Sequence, residues 1–382
     1  MRILFLTHYT DLYGANRALL TLLSGLKKEG KHEPILVLPA EGELSELLRG
    51  EGIECFICGV TQWQAIYRGP VSFAVKKFIR RRRIEAEVRT LEEHFRDRGI
   101  DLIHSNSSVI GTGAMLAEKL GCMHVWHIRE FAREHYGMRY FYPAEKVRHY
   151  YEQADQLVTI SDELKEHYRS LYPGARVLRI YDGVEGFGEP AEKEETGTVR
   201  FCYVGYLFPK KNQLDLLEAA AELKEEGIGD FRVILAGEGD AAYRKKLEEL
   251  ISFRGLSEAE LAGFVRDVPA LLKTCDVGVI ASEHEGFGLV TVEYMLAGLP
   301  VIGRKSGATP EIVLDGETGL LYRDRKGLKK AMRELIEDAK KRKALGEAGY
   351  RRARSCFSAE ANLAAVRKLY ECLEGGSADE RS

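Results

Sequence analysis

A chain of 382 residues, 45% hydrophobic and 30% charged, has room for two domains of about 150–200 residues, each able to bury its own core. With 59 acidic against 56 basic side chains the formal net charge is −3, which excludes the basic signature of a nucleic-acid partner. Seven cysteines, an odd number mostly inside apolar runs, point to reduced thiols in a cytoplasmic protein, and no apolar run nears the ~20 residues a membrane-spanning helix needs.

In chain order, "RILFLTH" (2–8) is a core strand, too short for a signal peptide. "ANRALLTLLSGLKKEG" (15–30) is a helix closed by Gly30, "EPILVLP" (33–39) a strand and "ELSELLRGEG" (43–52) a helix. The strand at 54–59 carries Cys55 and Cys58 with no second pair nearby, so neither a redox nor a zinc role follows. A charged helix spans about 72–98. In it "AVKKFIRRRRIEAEVRTLEEHF" (74–95) sets six basic residues between 76 and 83 among Val75, Phe78, Ile79 and Ile84. Such a helix suits an anionic membrane surface through residues 74–84; the competing reading is a solvated face paired with the glutamates at 85, 87, 92 and 93. "DLIHSNS" (101–107), "HVWHIRE" (124–130), "QLVTIS" (156–161) and "ARVLRIYDG" (175–183) extend the series of strands.

The segment 184–198, rich in Gly and Glu without apolar period, reads as a linker. The alternation restarts with "VRFCYVGYL" (199–207), a helix at 212–226, "FRVILAGEG" (231–239) and a helix at 241–254. "ELAGFV" (260–265), "DVGVIAS" (276–282), a helix at 288–298 and "PVIGRKSG" (300–307) follow, and the remainder reads as helical to about residue 373. Strands alternating with helices imply α/β architecture: two doubly wound parallel-sheet Rossmann-like domains facing a central cleft. The expected boundaries are 1–183, the linker 184–198, and 199–357. A C-terminal helix at 358–374 would pack back toward the first domain, ahead of a disordered tail at 375–382.

One stretch in the second domain stands out. "EHEGFGLVTVEYMLAGLPVIG" (283–303) places Glu285 and the turn Gly286-Phe287-Gly288 between a strand's carboxyl end and a helix's amino end. Ligands bind there in open α/β sheets, and free amides with the helix dipole favour anionic oxygens. Glu293 lies about one and a half turns into that helix, a carboxylate suited to paired hydroxyls. The competing reading makes Glu285 a helix cap and Glu293 a surface residue.

"EHEGFGLVTVE" matches the E-x7-E signature of retaining GT-B glycosyltransferases, and the flanks "GLPVIGRKSGATPEIVLDGETGLLY" (298–322), "VILAGEGD" (233–240) and "LAGFVRDVPALLKTCDVGVIAS" (261–282) resemble glycosyltransferase family 4. "FCYVGYLFPKKNQLDLLEA" (201–219) resembles the family's diphosphate-holding segment, with Lys211 at the lysine position and Tyr206 where arginine is usual. The resemblance implies that Glu293 holds the ribose hydroxyls, and that Glu285 with the backbone of Gly286, Phe287 and Gly288 holds the transferred sugar and its phosphate. It also puts the nucleotide base on backbone near Phe264 and Val265. "TDLYGANRALLTLL" (10–23) resembles the family's glycine-rich first loop, with Gly14 at its second glycine and Tyr13 replacing the first. His127, in "HVWHIREF", matches the histidine beside the transferred sugar, with acid/base work open to it. His104, Ser105 and Arg129, at strand ends on the same rim, are candidates for the acceptor pocket.

No two aspartates stand two apart, so the D-x-D metal-diphosphate device is missing, and no His or Cys spacing suggests a metal ligand set. The resemblance therefore implies metal-independent transfer from a UDP- or GDP-sugar to a saccharide or lipid-linked saccharide, without a further cofactor. A nucleotide-sugar epimerase of the same fold, and a catalytically silent nucleotide-sugar binder, remain open at this level.

Overall fold

The computed structural model describes residues 1–131, 137–185, 188–190 and 197–379. It divides into two compact units: Met1–Gly183 together with the chain from Ala359, and Val184–Ser358.

In the first unit the strands are β1 (Arg2–Leu6), β2 (Glu33–Leu38), β3 (Glu54–Ile57), β4 (Gln64–Ile66), β5 (Leu102–Asn106), β6 (Met123–Ile128), β7 (Met138–Tyr140), β8 (Gln156–Thr159) and β9 (Val177–Arg179). Among the described residues they form a parallel sheet in the order β3-β2-β1-β5-β6-β8-β9, with β4 and β7 as a separate antiparallel ribbon. The ribbon is unforeseen by the sequence reading, because three-residue strands carry no measurable period. The pleat of β1 sends Ile3 and Phe5 into a core with Leu19, Leu22 and Tyr370, and Leu4 and Leu6 into one with Leu91, Phe95 and Leu116. Covering both faces explains why these strands are continuous apolar runs.

The second unit holds β10 (Val199–Val204), β11 (Phe231–Ala236), β12 (Ala259–Gly263), β13 (Val277–Ile280), β14 (Val301–Arg304) and β15 (Gly319–Tyr322), parallel in the order β12-β11-β10-β13-β14-β15. The strand β15 corrects the expectation that everything after residue 307 is helical. Four residues of "GLLY" behind a turn are too few to interrupt the helical pattern around them.

The last helix, Ala359–Asp379, lies on the first unit, where Asn362 Nδ2 donates to the Tyr181 carbonyl at 2.6 Å and Arg367 pairs with Glu29 at 3.1 Å. The helix is assigned to Asp379, and residues 380–382 of the tail expected from residue 375 lie outside the description. Of the expected linker, residues 186–187 and 191–196 also lie outside it, while the Val184 amide is tied to the Phe357 carbonyl at 2.9 Å.

Candidate active site

In the second unit the chain steps outward from β10 to β12, then returns to lay β13 against the other edge of β10. The carboxyl ends of β10 and β13 thus flank the switch point at which open α/β sheets hold ligands. Lys211 ends the short turn Pro209–Lys211 after β10, and Glu285 lies in the loop after β13. Lys211 Nζ donates to Glu285 Oε1 at 2.6 Å, both side chains partly open to solvent. The backbone holds this pair in place. The Tyr203 hydroxyl donates to the Lys211 carbonyl at 3.1 Å, the Glu283 amide to the Lys210 carbonyl at 3.0 Å, and the Ala308 amide to the Glu285 carbonyl at 3.0 Å. The third loop, after β14, approaches so closely that a Cβ on Gly307 (φ 54°) would stand 2.6 Å from the Glu285 carbonyl oxygen.

Gly288, at φ 93°, opens the helix Leu289–Leu296, and neither a side-chain cap nor an acidic first-turn residue occupies that start. Glu285 therefore does not cap the helix. Phe287 is buried edge-on against Phe357 at 5.7 Å, so the turn presents backbone rather than that ring. Glu293 is 1% exposed, which overturns its reading as a surface residue. Phe264 is exposed and Val265 half-buried just after β12, whose end is fixed by the Gly237 amide on the Gly263 carbonyl at 2.7 Å. Tyr206 is 59% exposed. Cations near these strand ends besides Lys211 include exposed Lys210, Arg266 and Lys305 and half-buried Arg304.

In the first unit His104 Nε2 lies 3.2 Å from His127 Nδ1, and His104 Nδ1 lies 2.7 Å from the Tyr370 hydroxyl. Among the described residues the buried His127 Nε2 has no hydrogen-bond partner, and Asp182 Oδ1 lies 3.8 Å from it. Arg129 binds Asp182 and donates from Nε to Asn106 Oδ1 at 2.8 Å. Burial, reinforced by the Arg129 charge, holds His104 down at about 3 and His127 well below its usual range, so both are neutral at pH 7. Burial pushes the Asp182 carboxyl up while Arg129 pulls it down.

Ser105 is not on that rim. The strand pleat turns it to the opposite face, where its Oγ lies 2.9 Å from His124 Nε2 and both residues are buried. His104 and Ser105, both named as acceptor-pocket candidates at one strand end, thus face opposite sides of the sheet, His104 toward His127 and Ser105 toward His124.

Gly14 begins the helix Gly14–Glu29, whose cap Tyr13 is exposed and makes no side-chain capping bond. The loop before it is shaped by Asn16, which the sequence reading passed over. Thr7 Oγ1 donates to Asn16 Oδ1 at 2.7 Å, and Asn16 Nδ2 donates to the Tyr9 and Asp11 carbonyls at 2.9 Å each. Glu130 does similar work after β5: it accepts from the Ser107 and Ser108 hydroxyls and the Ser108 amide at 2.6–2.7 Å, holding Ser107 at φ 143°. For Glu130 the available signal was a carboxylate just past the end of a predicted strand; for Asn16 it was a polar side chain on the apolar face of the first helix. Among the described residues no three His, Cys, Asp or Glu side chains gather as a metal site.

Two parallel Rossmann-like units, with Lys211 and Glu285 meeting at the switch point of the second, make this a protein of the GT-B class. Residues 13–185 match the family model Glycosyltransferase Family 4 and residues 189–352 match Glycosyl transferases group 1. An uncharacterized glycosyltransferase of Methanocaldococcus jannaschii is 32% identical over 289 residues, 72% of this chain and 76% of that protein. The chain belongs to this glycosyltransferase family. Two solved structures share the fold. Anabaena HepE in complex with UDP has a TM-score of 0.79 at 20% identity, covering 97% of this chain and 100% of that one. Sucrose-phosphate synthase from Thermosynechococcus elongatus has 0.77 at 18%, covering 98% and 99%.

Proposed function

We propose that this glycosyltransferase moves a sugar from a UDP- or GDP-sugar to a hydroxyl of a saccharide or lipid-linked saccharide, with retention at the anomeric carbon, in cell-surface polysaccharide or glycolipid assembly. The carrying observation is the Lys211–Glu285 pair at the switch point of the second unit, beside the uncapped helix start that leads to buried Glu293. HepE structures with UDP and with UDP-glucose, on the same fold, support a uridine nucleotide donor. Glu293 accepts from the ribose hydroxyls, and Phe264 and Val265 border the base. Lys211 and the Gly286–Gly288 backbone take the diphosphate, with Glu285 on the sugar.

The anomeric carbon–phosphate oxygen bond breaks as the acceptor oxygen bonds the same face of that carbon, and the acceptor proton passes to the departing diphosphate. The Lys211 ammonium offsets the charge growing on that leaving group. It does the work given to a metal ion elsewhere, so transfer proceeds in EDTA. Gly14 faces phosphate or acceptor, His127 bonds a sugar hydroxyl, and Arg129 and His104 build the acceptor side. The enzyme works in the cytoplasm against an anionic membrane, supported by the outward apolar stripe and basic flanks of the helix Pro70–Phe95. No helix among the described residues is long and apolar enough to cross a membrane.

The test is calorimetric titration with UDP-, GDP- and ADP-sugars in EDTA, alongside Glu293→Ala. Micromolar binding of one nucleotide-sugar, lost in the variant, is the expected result. Equal binding by the variant, or none by any nucleotide-sugar, ends this reading. Conversion of the bound donor without any acceptor would make the protein an epimerase instead.

A further inference from the structure

We propose that Tyr370, acting through His104, fixes His127 as its Nε2–H tautomer, so that His127 serves the transfer site as a neutral hydrogen-bond donor and not as a base. The role at the sugar rests on the transferase reading above; the tautomer does not.

Three elements far apart in sequence build this line. Tyr370 comes from the last helix, Ala359–Asp379, His104 from β5 and His127 from β6. The contacts are 2.7 Å from the Tyr370 hydroxyl to His104 Nδ1 and 3.2 Å from His104 Nε2 to His127 Nδ1, all three side chains being buried. A neutral imidazole has one N–H and one bare nitrogen, so a direction set at one end runs through both rings. If the phenol donates to His104 Nδ1, His104 carries its proton on Nε2 and donates to His127 Nδ1. His127 must then carry its own proton on Nε2.

Both ends favour that direction. Among the described residues the Tyr370 hydroxyl has His104 as its hydrogen-bond partner, and phenol O–H to a bare imidazole nitrogen leaves no donor stranded. At the far end, among the described residues His127 Nε2 has no hydrogen-bond partner, and Asp182 Oδ1 lies 3.8 Å from it. An N–H pointing toward a carboxylate is attracted, whereas a lone pair there is repelled. The opposite direction strands the buried phenol proton and aims that lone pair at Asp182. Burial, and after it the charge of Arg129, which is bound to Asp182, oppose a positive charge on both rings. His127 Nε2–H is thus an unspent donor, shaped for a sugar or phosphate oxygen. The C-terminal helix becomes a positioning element through Tyr370.

The experiment is long-range proton–nitrogen NMR on the full chain with nitrogen-15 histidine, His127 being assigned by difference from His127→Gln. The expected spectrum has His127 protonated on Nε2 and bare on Nδ1, unchanged from pH 6 to 8. Tyr370→Phe, which keeps the ring and removes the proton, is expected to mix the His104 and His127 tautomers. In that variant kcat falls about tenfold with donor affinity unchanged. A bare Nε2 on His127 in the wild type overturns the proposal, and that measurement stands even if Tyr370→Phe does not fold. Unaltered tautomers in a folded Tyr370→Phe overturn it as well. If the tautomers behave as stated while no sugar is transferred, the transferase reading has failed and this one has not.

Discussion

Lys211 and Glu285, 74 positions apart in sequence, meet at 2.6 Å where the loops after β10 and β13 converge. The carboxylate holds the ammonium in place in the free protein, and under the proposed function the donor diphosphate would compete with the carboxylate for it. Lys211→Ala should therefore cost transfer more than binding. We expect kcat to fall about 10²–10³-fold, the scale for losing one preorganised group at a developing oxyanion. Single-turnover kinetics with a saturating nucleotide-sugar checks this, and an unchanged chemical step would remove Lys211 from the leaving-group role.

Gly307 tests whether the loop after β14 positions Glu285. Its φ of 54° is a left-handed value, and an added Cβ would lie 2.6 Å from the Glu285 carbonyl oxygen and 2.8 Å from the amide nitrogen. Backbone cannot yield as a flexible side chain does. Gly307→Ala is expected to cost about 1–3 kcal/mol in urea unfolding and to lower kcat by displacing the loop that carries Glu285. Wild-type activity in a folded Gly307→Ala would show that Glu285 does not depend on that neighbour.

The strands were legible wherever a sheet buried on both faces demanded a continuous apolar run, as in β1, β2 and β10. The glycine turn and its two glutamates were legible as chemistry because polar residues are costly in such surroundings. What escaped notice was long-range or very short. Nothing near Tyr370 announces a partner 266 residues earlier, and "GLLY" carries no period that distinguishes β15 from the helices around it. The opposite facing of His104 and Ser105 follows from the strand's pleat, which sends adjacent residues to opposite faces. Asp182 sits in a loop after β9, and only folding brings it to Arg129.

The buried histidines set a pH dependence of stability. Burial holds His104 and His124 at about 3 and His127 well below its usual value, and His8 and His32 are lowered too. In the unfolded chain each titrates near 6.5. The unfolded state therefore binds more protons below that pH, so stability is complete above about 6.5 and is lost as pH falls toward 3. Carboxylates held low by basic partners, such as Glu54 and Glu92, add losses only below about 4.5, and Asp182, raised by burial, works in the opposite direction. Between pH 6 and 5 the slope thus belongs to histidines, at about 1.4 kcal/mol per pH unit for each one fully titrating. Urea unfolding of His124→Gln across that interval should show a slope shallower by one proton. An unchanged slope would mean that His124 is not held neutral.

The helix Pro70–Phe95 makes the membrane prediction specific. Ile84, Val88, Leu91 and Phe95 are buried against the first unit, while Val71, Val75, Phe78 and Ile79 are 77%, 55%, 64% and 57% exposed. Steps of four, three and one place those four on a single outward stripe. Lys76, Arg80 and Arg83 flank it, and the Arg82 guanidinium stands 5.2 Å over the Phe78 ring. Two of the four glutamates invoked for a solvated face are engaged: Glu87 is buried and bonds Thr61 as well as Arg83, and Glu92 pairs with Arg96 and Lys119, while Glu85 and Glu93 are exposed. Among the described residues the basic run 76–83 makes one ion pair, Arg83 to Glu87. An outward apolar stripe flanked by cations, of which Arg83 alone is ion-paired among the described residues, matches the boundary between anionic headgroups and acyl chains, where each cation contributes about 1 kcal/mol and the rings and methyls add burial. Sedimentation with phosphatidylglycerol vesicles should therefore show binding that weakens in high salt and is absent with phosphatidylcholine alone. The double change Phe78→Ser and Ile79→Ser should reduce it on the order of tenfold. Transfer to a soluble acceptor should persist in that variant, since the stripe lies apart from Lys211 and Glu285 in sequence and function. Binding unaffected by the double change, or equal on neutral vesicles, would leave the stripe without its proposed partner.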